Sequence, residues 1–359
     1  MRIRAAGLAI LAFAGNSTLH RLTLMQGNID PFVGEQTADA GIIREPLIIK
    51  LMSIRTSPYL PHRASTVEQF TLRGAVPYRI HRWAPENGSS LNAPPLLLAH
   101  GWMDVGASFQ HCVDYLSAGR EVIALDWRGF GGSRSRQPVD SYWFYDYYGD
   151  LDAIVDYISP NAPIDLLGHS MGGNIAMTYA GTCPTRIRRL INVEGFGLAR
   201  SAPSEAPTRL AQWLSELKSP ISLRSFANEQ EIVDHLKIRS PRLEKEYGAW
   251  LARHWTELGE DGRWHIAADA VHKRVNPVLY RCDEAISTWA EIQAPVLWVE
   301  GEHTGHDRWS GDKYPRSEFE DRLSKVRSVE RTVINQAGHM VHLDQPEALA
   351  IAIESFLSR

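Results

Sequence analysis

From residue 66 onward, short apolar runs alternate with longer segments in which apolar residues recur every three to four positions. The runs lie at 96–99, 122–125, 164–167, 190–193, 296–299 and 332–334, and Leu, Ile and Val dominate them. Runs with so few polar positions are strands buried on both faces. The segments 107–118, 148–158, 171–180, 318–326 and 348–357 read as helices between or after them. Strands and helices in this alternation predict an α/β domain, a mostly parallel sheet covered by helices on both sides. Ahead of it, 66–73 and 76–83 are β-rich around Gly74, a hairpin that would add antiparallel strands at one edge.

One gap interrupts the rhythm. Between Glu194 and Pro295 the texture is helical, with amphipathic stretches at 209–217, 229–236 and 243–258 and no expected strand. Trp213, Trp250, Trp255, Trp264 and Trp289 fall there and are expected to pack a small core of the insert itself. The expected organisation is a core of 66–194 and 295–359, a helical cap of 195–294 before the penultimate strand, and an extension of 1–65. Within the extension, 42–54 is apolar and Ser57-Pro58 with Pro61 breaks it. Arg2 and Arg4 precede a mostly apolar 5–14 ending in Ala12-Phe13-Ala14, which reads as a short secretory signal or a frayed start. A cytoplasmic location is expected, or a secreted or periplasmic one if 1–14 acts as a signal. No stretch approaches the ~18 unbroken apolar residues of a membrane span.

Composition narrows the function classes. The 359 residues are 44% hydrophobic and 22% charged, and the net charge is −4 with both signs dispersed. No basic face for nucleic acid is expected from such a balance. Cys112, Cys183 and Cys282 are odd in number and far apart, so neither a disulfide framework nor a paired-cysteine metal site is expected. Oligomeric state is not encoded in these features.

Three segments could carry chemistry. Gly168-His169-Ser170-Met171-Gly172 sits between an expected strand and an expected helix. A sharp turn there would push the serine hydroxyl out at the sheet's end, with glycines allowing close backbone approach. The helix N-terminus behind it favours developing negative charge. His100-Gly101-Trp102 ends another strand, where the Trp102 amide could serve an oxyanion together with the Met171 amide. Gly338-His339 follows the last strand, and an imidazole there could act as a base near neutrality. His342 is the alternative base, while His100 and His169 are expected to brace loops.

The HGW segment, Asp126-Trp127-Arg128-Gly129-Phe130-Gly131-Gly132-Ser133, GHSMGG at 168–173, and Gly338-His339-Met340 with Gln345-Pro346-Glu347 together resemble the α/β-hydrolase fold superfamily, in its serine-hydrolase-like esterase branch. The likeness covers 66–359. It implies the α/β-hydrolase fold, no cofactor and no metal, a small-molecule substrate, and a nucleophile–acid–base triad. The family usually places the acid three residues after the glycine ending the penultimate strand, and here that position holds Thr304. Some relatives carry it instead at the end of the strand before the cap, which here is Glu194, with Glu302 and Asp307 as alternatives. The resemblance therefore implies Ser170, His339 and Glu194 as the triad and Trp102 and Met171 as the oxyanion hole. It implies an esterase acting on a small to medium apolar ester. A C–C bond hydrolase or perhydrolase would use the same triad, and a non-catalytic ligand-binding protein could keep the fold. The His303-x-x-His306-Asp307 stretch is expected to be a solvated loop rather than a metal site.

Overall fold

A computed structural model describes residues 58–86, 93–135, 137–306 and 311–359. The signal candidate at 1–14, the extension as far as residue 57, and Asp307 lie outside the described residues.

The strands in chain order are β1 (Thr66–Leu72), β2 (Val76–Trp83), β3 (Leu96–Ala99), β4 (Val122–Leu125), β5 (Ile164–His169), β6 (Ile187–Val193), β7 (Ser225–Phe226), β8 (Thr256–Leu258), β9 (Trp264–Ile266), β10 (Val296–Gly301) and β11 (Val329–Ile334). The helices are α1 (Gln110–Val113), α2 (Phe144–Ile158), α3 (Met171–Thr182), α4 (Ala206–Glu216), α5 (Glu229–Arg239), α6 (Lys245–Trp255), α7 (Cys282–Ala290), α8 (Arg316–Leu323), α9 (Val341–Asp344) and α10 (Pro346–Leu357).

Eight strands form the main sheet in the order β1-β2-β4-β3-β5-β6-β10-β11. The β1–β2 hairpin pairs antiparallel and joins β4 antiparallel, and the remaining pairs are parallel. The α/β-hydrolase architecture expected from the chain is the one found. Alternate residues of each central strand serve opposite cores, as the pleat requires. Leu97 and Ala99 of β3 enter the core under α2, α3, α7 and α8, whereas Leu96 and Leu98 enter the one under α1 and α10. Burial on both faces explains why β3 and β4 carry no polar residue. It also leaves only the strand ends free for chemistry, so the loops after β3, β5, β6, β10 and β11 gather at one edge.

The region between β6 and β10 differs from expectation in two ways. It is not wholly helical, because β7, β9 and β8 form a second, three-stranded sheet. Strands of two or three residues leave no periodic signature to read. Of its tryptophans, Trp255 is buried in a core with Phe226, Leu243, Tyr247 and Leu251, and Trp250 and Trp264 pack against it. Trp289 instead belongs to the main core, and Trp213 on α4 is half-buried with its indole N–H donating to Ser141 Oγ at 2.8 Å. The insert's core also takes Val105 and Ala107 from the segment after β3 and Leu343 from α9, so it is joined to the edge where the strand-end loops gather.

The helix expected over 107–118 is shorter. A 3₁₀ turn at Gly106–Phe109 leads into α1, which ends at Val113. Asp114 there accepts bonds from His62 N at 3.1 Å and Gln110 Nε2 at 2.8 Å, a tertiary clamp that replaces further helical turns.

Leu98 is 1% exposed in the centre of the sheet. Leu98→Ala is expected to lower unfolding stability by about 2–5 kcal/mol, measured by urea denaturation, because the rigid surroundings cannot close the cavity.

Candidate active site

β5 ends at His169, and the chain turns into α3 through Ser170 with φ 52° and ψ −115°. That conformation is unfavourable for a residue with a Cβ, and the surrounding packing must impose it. Ser170 N donates to Val193 O at 2.8 Å, and Ser170 O accepts from Asn174 N at 3.0 Å. A Cβ on Gly168 would fall 2.3 Å from Gly172 O, and one on Gly172 would fall 2.2 Å from Ala99 O. Both glycines are therefore demanded by the tight crossing of β3, β5 and α3, and the hydroxyl is held out at its apex.

The loop after β11 brings His339 to this hydroxyl. His339 Nε2 lies 3.0 Å from Ser170 Oγ, and His339 Nδ1 lies 3.0 Å from Glu194 Oε2. Since a carboxylate only accepts, Nδ1 carries the proton and Nε2 presents its lone pair to the serine. Glu194 follows β6 at φ 59° and is 2% exposed. Its Oε1 accepts from Gly301 N at 2.7 Å, and its Oε2 also accepts from the Thr304 hydroxyl. Thr304, at the position where the resemblance leads one to expect an acid, is thus a donor to the carboxylate that comes from β6.

The alternatives fall elsewhere. Glu302 is exposed, accepts from Gln336 N at 2.8 Å and lies 3.7 Å from His303. His342 is fully buried against Asp104, away from Ser170. Trp102 and Met171 line one small cavity of about 100 Å³ together with Tyr142, Tyr147 and His272. Met171 opens α3, where the first amides have no partner within the helix. The arrangement can therefore lower the barrier for proton loss from Ser170 and present N–H groups to a developing anion.

The family model described as "Alpha/beta hydrolase family" matches residues 96–352. The chain belongs to the alpha/beta hydrolase family. The serine hydrolase-like protein of Danio rerio is 25% identical over 297 residues, 80% of this chain and 85% of that one. The sn-1-specific diacylglycerol lipase ABHD11 of Xenopus laevis is 28% identical over 283 residues, 75% and 81% of the two chains. Among solved structures, the thioesterase domain from the curacin biosynthetic pathway superposes with a TM-score of 0.69 at 23% identity, covering 81% of this chain and 99% of the other. These likenesses make the protein a hydrolase of that family.

In this alpha/beta hydrolase, the bracing histidines act as expected. His100 Nε2 accepts from Trp127 N at 2.9 Å, and its Nδ1 donates to Gly101 O at 2.7 Å. His169 Nε2 donates to His339 O at 2.8 Å. Burial, with the His342 and His339 rings beside it, holds His169 well below the ordinary histidine range. His306 departs from the solvated-loop expectation, for it is buried against Phe196 and Tyr314, whereas His303 is exposed.

Two supports were not legible in the sequence. Asp104, in the loop that carries Trp102, lies 3.3 Å from His342 Nε2 and accepts from Ser108 Oγ at 2.8 Å. Burial alone would raise the Asp104 carboxyl, and its bond to His342 brings it below the ordinary range. Asp104, His169 and His342 are also the one grouping with metal-ligand potential among the described residues. Asp344 accepts from Gly338 N at 2.9 Å and from Ser240 Oγ at 2.7 Å, so the insert helps to fix the His339 loop. Pairs separated by more than a hundred residues leave no local pattern.

His272 comes from the insert and is stacked between Phe130 and Tyr142, with ring centroids 3.8 and 4.1 Å apart. Burial lowers its pKa from 6.5 to about 3, although the Gly129 and Arg128 carbonyls pull it the other way. A histidine kept neutral in the fold contributes stability that is whole above pH 6.5 and lost progressively as pH falls towards about 3. His272→Phe, which keeps a stacked ring and cannot titrate, is expected to lose less stability than wild type between neutral pH and pH 4. Urea midpoints at the two pH values measure the difference, and parallel losses in both proteins would contradict it.

Proposed function

We propose that this hydrolase cleaves carboxylic esters through an acyl-enzyme on Ser170. The observation that carries the reading is the unbroken line from Ser170 Oγ through His339 to Glu194, with both contacts at 3.0 Å. His339 Nε2 takes the hydroxyl proton as Oγ bonds to the acyl carbon. The carbonyl oxygen becomes an oxyanion facing the Trp102 and Met171 amides. His339 then returns the proton to the leaving alcohol as the C–O bond breaks. Water, deprotonated by the same nitrogen, releases the carboxylic acid and restores Ser170. Glu194 keeps the proton on Nδ1 throughout and stabilises the imidazolium.

A serine at position 170 argues against the alkyl-enzyme chemistry of epoxide or haloalkane opening, which attacks through a carboxylate. The bond from Thr304 to Glu194 gives the usual acid position a part in holding a carboxylate, which supports a working triad over a non-catalytic protein on the same fold. Likeness to a diacylglycerol lipase supports ester chemistry over C–C cleavage or perhydrolysis.

A fluorophosphonate probe is expected to label wild-type protein on the peptide containing Ser170, and Ser170→Ala is expected to abolish both labelling and turnover of aryl esters. Full activity in Ser170→Ala would overturn the mechanism. Rapid cleavage of ring-fission diketones with negligible ester turnover would replace the ester assignment by C–C hydrolysis.

Glu194→Gln retains the shape and loses the charge that fixes the imidazole. Its kcat is expected to fall by about 10²–10⁴ with a smaller change in KM. An unchanged kcat would take the acid role away from Glu194.

A further inference from the structure

A cavity of about 970 Å³, far larger than the space beside Trp102 and Met171, opens alongside α3. Its walls are single faces of three helices: Tyr148 and Asp152 of α2, Asn174 and Thr178 of α3, Ala285 and Trp289 of α7. The insert closes it with residues 198–201 and 276–281. Asn174 lies one helical turn beyond Ser170, and the lining continues to Cys183 at the end of the same helix. Nine residues of helix give the groove a length of roughly 13 Å along α3.

Ser170 and His339 do not line this groove, yet it adjoins the catalytic edge. Phe144 and Asn276 line both the groove and the small cavity that holds Trp102 and Met171. The two spaces border on the same two side chains, one from the start of α2 and one from the insert. Several apolar residues of the groove stay open to solvent, among them Leu198, Tyr145 and Val278 at 42%, 62% and 44% exposure. Apolar surface left uncovered in a concave site marks a place where an apolar ligand is received. α4, which contributes Arg209 to the lining, buries none of its residues and leaves Leu210 and Leu214 nearly half exposed.

We infer that the groove beside α3 receives a long acyl chain, so that the ester cleaved at Ser170 is a long-chain acyl ester rather than a short one. This rests on the ester-hydrolase reading above and adds the substrate class to it. The carbonyl sits at Ser170 beside the Trp102 and Met171 amides, and the chain passes Phe144 and Asn276 into the space between α2, α3 and α7. A short acyl group leaves that apolar space filled with water, and each methylene buried there adds favourable transfer energy. Of the charged side chains in the lining, Arg200 pairs with Asp283 at 2.6 Å, Arg209 donates to Asn276 O at 3.1 Å, and Asp152 on α2 accepts from Tyr179 at 3.0 Å.

The test is a series of p-nitrophenyl esters from acetate through butyrate and octanoate to palmitate, dispersed below their aggregation limits where they allow it. For wild-type protein kcat/KM is expected to rise about tenfold or more from butyrate to the longer chains. Ala285→Trp from the α7 wall and Thr178→Phe from the α3 wall both fill the groove. Each is expected to lower the long-to-short ratio of kcat/KM by about tenfold. A wild-type profile that peaks at acetate or butyrate overturns the inference without any variant having to fold. So does a long-to-short ratio that is unchanged in both folded variants. Short- and long-alkyl fluorophosphonates separate this failure from failure of the underlying reading. Equal labelling of Ser170 by both removes the acyl groove and leaves the hydrolase, whereas no labelling by either removes the hydrolase reading and the groove with it.

Discussion

The arrangement depends on placing a carboxylate inside the protein at the end of β6. An isolated buried charge would be displaced towards water or neutralised. Glu194 avoids this because three donors converge on its two oxygens: the Gly301 amide, the Thr304 hydroxyl and the His339 imidazole. Two of these come from β10 and the turn after it, and the third comes from the loop after β11. The carboxylate therefore joins three adjacent strand ends. Its backbone at φ 59° turns the chain out of the sheet, as Ser170 does at φ 52° one strand away. Both strained residues lie where packing over-determines the conformation, at the strand ends to which the proposed chemistry is assigned.

A second layer fixes the loops that have no regular structure of their own. The Trp102 loop is tied to the His339 loop through Asp104 and His342, and the strand end before Ser170 is tied to the same loop through His169. The loops that would carry oxyanion donor, nucleophile and base thus share one buried polar cluster. Positioning of reacting groups demands accuracy of a fraction of an ångström, and buried polar contacts between these loops restrict their movement.

Most of the fold was legible because buried parallel strands leave an unmixed apolar record. β3 and β4 match their expected bounds, β5 is longer by Gly168 and His169, and β6, β10 and β11 are longer by residues that include charged positions. Ser170, His339, Trp102 and Met171 stood out by strand-end setting, and Glu194 through the displacement of the usual acid by Thr304. The short sheet β7-β9-β8 did not, since strands of two or three residues are set by their partners rather than by sequence period. Asp104 with His342 and Asp344 with Ser240 were equally hidden, because the pairing exists only after the chain has folded. His306 was misjudged because a histidine beside charged residues reads as polar, while its ring is packed among Phe196, Tyr314 and Phe319.

The insert bears on access as much as on shape. Gly131 N donates to Ala267 O at 2.6 Å and Asp269 N donates to Gly129 O at 2.8 Å, so the strand-end loop 126–133 and the insert are joined by backbone bonds. The stacked His272 and the bond from Tyr142 to Asp269 reinforce that join. Ser240 and Asp344 make another on the side of His339. An element fastened on both flanks of the site cannot swing away as a unit without breaking several buried interactions at once. Entry must therefore use the openings left between the fastenings, and the groove proposed to take the acyl chain lies on the side of α2, α3 and α7. The same bonds that hold the loops proposed to carry the base and the oxyanion donor thus limit the sides from which a substrate could reach them.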